Sequence, residues 1–104
     1  MNITEFKVMA LLYVANIDGN VKAEEVRAII EKTDKSTFES VNALFSKMND
    51  AEVLDYINKN KPAFISTASD LQVLINDCRS IISADNENTV MEEYIVRALE
   101  RILR

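Results

Sequence analysis

Apolar residues recur along this chain at the three-to-four-residue spacing of helices. In the first segment Ile3, Phe6, Ala10, Tyr13 and Ile17 repeat in that way, and Val8, Leu11, Leu12 and Val14 fill the other faces. A helix running from a Thr4 cap to about Asn16 is therefore expected at the centre of the fold, covered by the others. Asp18-Gly19-Asn20 stops it, Gly19 being able to take the positive φ that ends a helix. Asn20 is the expected cap of a second helix reaching about Thr33, with Val26, Ile29 and Ile30 inward.

Ser36-Thr37-Phe38-Glu39 has the form of a capping box. The helix it opens places Phe38, Val41, Leu44, Phe45 and Met48 on one stripe. Asn49-Asp50 punctuates the chain, and Val53, Leu54 and Ile57 mark a short fourth helix. Pro62 is expected to begin or bend the next segment, because an interior proline lacks the backbone donor. A long helix follows, restarting near Ser69, with Leu71, Leu74, Ile75, Cys78, Ile81 and Ile82 on its core face. Asp85 to Asn88 is a polar break. Thr89-Val90-Met91-Glu92 repeats the capping-box pattern, and Tyr94, Ile95, Ala98, Leu99, Ile102 and Leu103 line a last helix. Arg101 and Arg104 lie at its end, where cations suit the helix dipole. The prediction is an all-α fold, a single compact domain over residues 1–104 built from six or seven short helices.

Composition narrows this further. One glycine and one proline are too few for the many tight turns of a sandwich or barrel. Histidine is absent, which removes the usual general base, the Ser-His and Cys-His pairs and most transition-metal sites. The single cysteine, Cys78, can form neither an intramolecular disulfide nor a cysteine-rich zinc site, and it reads as a small core side chain. Nothing distinguishes Tyr13, Tyr56 or Tyr94 from packing residues. Paired carboxylates can perform acid–base catalysis, but acids on exposed loops with no visible nucleophile make a poor active site. The expectation is a protein that is not an enzyme.

A net charge of −5 leaves no basic footprint for nucleic acid. The apolar start is broken by Glu5 and Lys7 and lacks the plan of a signal peptide. No apolar run reaches the length of a bilayer span, so no transmembrane segment is expected. These features, with a lone cysteine, suit the cytoplasm.

The most specific stretch is Ala15-Asn16-Ile17-Asp18-Gly19-Asn20-Val21-Lys22-Ala23-Glu24-Glu25. Aligned as a calcium loop with Gly19 sixth, it has Asn16 third, Asp18 fifth, Val21 eighth and Glu25 twelfth. The first position is then Val14, which supplies no side-chain oxygen. A true EF-hand is thereby ruled against.

The pattern A-x-x-D-G-x-V-x-x-x-E after a hydrophobic helix resembles the tellurite-resistance TerB-like family, with Asp18, Gly19, Val21 and Glu25 matching its motif. The resemblance implies a small all-helical fold with two pseudo-repeated acidic helix-loop-helix elements. A second element is found in Ile82 to Glu93. One register pairs Asp18 with Asp85 and Glu25 with Glu92. Another pairs Ala15 with Ala84, Val21 with Val90, Glu24 with Glu93 and Ile30 with Leu99, and a small indel reconciles them. The second copy lacks the glycine, so Asn86 or Asn88 must serve there. Residues 35–69 lie outside the resemblance.

The resemblance also implies divalent-metal binding through the acidic loops, and a place in stress-response or peripheral membrane-linked assemblies with protein partners. Carried over, it makes Asp18, Glu25, Asp85 and Glu92 the candidate ligands for a cation such as Ca²⁺. Asn16, Glu24, Glu87 and Glu93 are auxiliary oxygen donors. The same acids have a plainer use, since carboxylates near a helix N-terminus stabilise it by roughly 0.3–1 kcal/mol each without metal. The alternative function is accordingly a metal-independent protein-interaction domain, a homodimer among the options.

Overall fold

The computed structural model describes residues 2–16, 22–82, 97, 100 and 101. Among them are five helices and no strand: α1 (Ile3–Ala15), α2 (Ala23–Lys32), α3 (Lys35–Phe45), α4 (Asp50–Phe64) and α5 (Ala68–Ile82). Five of the expected six or seven helices thus lie among the described residues. Arg97, Glu100 and Arg101 also have helical backbone. The polar break at 85–88, the capping pattern at 89–92 and most of the last helix lie outside the described residues, as do Ile17, Asn20 and the side chain of Ile82.

The organising element is α1. Phe6, Val8, Met9, Ala10, Leu11, Leu12, Val14 and Ala15 are all buried, and α1 packs against each of the other four helices. A helix apolar on every face can satisfy itself only in that position. Ile3 is half exposed at the helix start, and Tyr13 is partly buried. Around α1 the covering helices turn inward Ile29 from α2, Phe38 and Val41 from α3, Val53 and Ile57 from α4, and Leu74, Ile75, Cys78 and Ile81 from α5.

Capping set several boundaries differently from expectation. Asn2, not Thr4, opens α1: its Oδ1 accepts the Glu5 N–H at 2.8 Å while Glu5 Oε1 accepts the Asn2 N–H at 3.0 Å. Helix α3 is capped two residues ahead of the Ser36 pattern, because Asp34 does more than a serine can. Its Oδ1 accepts the Thr37 N–H at 2.7 Å and its Oδ2 the Thr37 hydroxyl at 2.8 Å. Leu44 leaves the expected stripe and is exposed; α3 lies chiefly on α1 with a smaller contact to α2, so only a narrow face is covered.

The bonds from Thr37, its backbone N–H first, hold the Asp34 carboxyl below its ordinary value of 3.8. The charged cap is complete above that value and is lost as pH falls through the lower folded one. Asp34→Ala is expected to lower stability at neutral pH. Asp34→Asn keeps a capping oxygen and should lose only the acid dependence. Thermal unfolding followed by circular dichroism, from neutral to strongly acidic pH, distinguishes the two.

The fourth helix is long rather than short. Asn49 and Glu52 cap it reciprocally at 2.8 and 3.0 Å, and it runs through Pro62 to Phe64. Pro62 neither begins nor bends the next segment. It sits in the last turn of α4, where one donor is missing and Asn58 and Pro62 are both exposed; the freed carbonyl can be met by water. The turn is held by Ile65 N–H on the Lys61 carbonyl at 2.8 Å and by Phe64, whose ring centroid lies 5.3 Å from that of Phe6. Helix α5 then starts within a residue of the expected Ser69, with the Thr67 hydroxyl accepting the Asp70 N–H at 3.1 Å.

Candidate functional site

The chain is fixed on both sides of residues 17–21. Val14 and Ala15 are buried at the end of α1, and the Asn16 N–H closes the helix on the Leu12 carbonyl at 3.0 Å. Lys22 is extended at the N-cap of α2. Glu25, three residues on, reaches back so that its Oε1 accepts the Lys22 N–H at 2.9 Å. Its side chain is turned inward, leaving the residue only 5% exposed, the one charged residue buried among the described residues. Burying a carboxylate is costly unless hydrogen bonds or charges meet it, so the start of α2 is built around this group.

Of the eight candidate ligands, the described residues include three. Asn16 is half-buried at the end of α1, Glu24 is exposed and Glu25 is buried. Asp18, with Gly19 and Val21, lies outside the described residues, as do Asp85, Glu87, Glu92 and Glu93 of the second element. Among the described residues, no three acidic or thiol side chains are grouped as a metal ion would require. No helix there is long and apolar enough to cross a membrane.

Cys78 is fully buried in the core, as its position on the apolar stripe of α5 implied. Burial above all, then the neighbouring Asp77 charge, pushes its thiol up to about 12 against an opposing pull from Lys7. Such a thiol is inert, since the thiolate is the nucleophile. Native protein at about pH 8 should therefore resist a thiol reagent that labels the urea-unfolded chain rapidly. Stability has a matching signature. The unfolded thiol ionises near 9.0 and the folded one only near 12, so its contribution is complete below the lower value and is lost as pH rises towards the higher. The stability difference between wild type and Cys78→Ala should shrink across that window in urea titrations.

Searches of protein-family models, of curated proteins and of solved structures give no match to this chain.

Two features were not visible in the sequence. The first is an ion-pair node: Asp77 on α5 meets Lys7 of α1 at 3.0 Å through Oδ2 and Lys32 of α2 at 3.5 Å through Oδ1. Three helices are tied at one half-buried carboxylate. Residues 7, 32 and 77 have no sequence spacing that could announce the contact; packing alone creates it. The second is an apolar cleft of about 150 Å³ where the start of α1, the end of α4 and the start of α5 converge. Ile3, Phe6, Phe64, Ile65, Val73 and Leu74 line it, with Lys7 and Asp70 at its polar edge. Ile3 and Val73 are 50% and 52% exposed there.

The remaining perturbed groups are scattered rather than convergent. Asp70 is held low by the Ser66 N–H, then the Ser66 and Thr67 hydroxyls, at the entry to α5. Tyr13 and Tyr56 are pushed up by burial first, and then by the charges of Asp50 and Glu5 respectively. Each shift has a local cause in a cap or in burial. None of these groups is poised as a base or nucleophile near neutral pH.

Proposed function

We propose that this protein is a non-catalytic helical binding module, TerB-like in plan, whose acidic turns take up a divalent cation such as Ca²⁺ weakly within a stress-associated assembly. The observation that carries the reading is the inward-turned carboxylate of Glu25 in the first turn of α2. The sequence just before and beside it adds Asn16, Asp18 and Glu24, all oxygen donors of the kind that hard cations take. Carboxylates brought close together repel one another, and a cation would relieve that repulsion.

Titration of the whole chain with Ca²⁺, Mg²⁺ and Mn²⁺, read by NMR and calorimetry, tests this. The expected result is a saturable shift confined to residues 16–25 and 85–93, abolished in the Asp18→Asn/Asp85→Asn variant. No shift at millimolar metal would overturn the ion-binding part.

A second reading, a metal-independent interaction domain that pairs with another copy of itself, rests on Ile3 and Val73, half exposed beside the same cleft. It expects a dimer in sedimentation that Val73→Asp converts to monomer, with no response to metal.

A further inference from the structure

We draw no further inference here: the strongest candidate, the apolar cleft between the start of α1, the end of α4 and the start of α5, carries nothing because its edge charges are already engaged, Lys7 by Asp77 and the Asp70 carboxylate by Ser66, and nothing in the structure shows what covers it.

Discussion

Leu11→Ala is expected to lower the free energy of unfolding by about 2–5 kcal/mol, the range for deleting a buried leucine side chain where the surroundings relax only partly. Leu11 is wholly excluded from solvent on the helix that all the others cover. Collapse around the lost side chain would have to move α1 against four helices at once, which places the cost towards the upper part of that range. Small domains have only about 5–15 kcal/mol to lose, so the variant should be close to unfolding at physiological temperature. Val73→Ala, at a half-exposed position on α5, should change stability by no more than about 0.5 kcal/mol. Urea titrations followed by far-ultraviolet circular dichroism compare the two. Equal effects would mean that α1 is not the centre of the domain.

Glu25→Ala should be the next most damaging change, at about 1–3 kcal/mol, because it leaves the Lys22 N–H without the carboxylate that accepts it. Glu25→Gln separates the two roles open to this residue. A glutamine carbonyl can still accept from Lys22, so the cap and most of the stability should survive. A cation ligand, in contrast, loses its charge. If Glu25→Gln keeps the melting temperature within a few degrees but removes the Ca²⁺-dependent NMR shifts, the side chain serves an ion as well as the helix. Unchanged shifts would confine Glu25 to capping.

Caps were the part of the fold most open to misreading. Asn2 with Glu5, and Asn49 with Glu52, both make the reciprocal bonds of a capping box; their Asn-x-x-Glu spacing is written in the chain as openly as the Ser36–Glu39 pattern that is not used. Several residues near a helix start can each offer an oxygen, and the one that wins satisfies the most donors at once, as Asp34 does with two bonds to Thr37. Pro62 misled for a related reason. A proline breaks a helix by withholding one donor and crowding the preceding turn, but near the end of α4 the loss falls on exposed backbone while Phe64 and Ile65 pack onto the core.

Around the start of α2 the sequence gives residue types but not their orientation. The run from Asn16 to Glu25 is rich in oxygen-bearing side chains, but it carries no sign that Glu25 turns inward while Glu24 faces solvent. Successive helical residues point about 100° apart, and which of the two meets the interior depends on how α2 lies against its neighbours.

By itself the sequence determined the helical class, the apolar nature of α1, the core stripe of α5 and the inert position of Cys78. Each follows from periodicity and side-chain type within one segment, where local rules suffice. Only the tertiary structure decided that Asp77 would join Lys7 and Lys32, that Ile3 would border a cleft instead of filling the core, and that α4 would pass through its proline. Those outcomes depend on the angles and offsets at which helices pack, and such distances between residues far apart in the chain have no periodic signature in it.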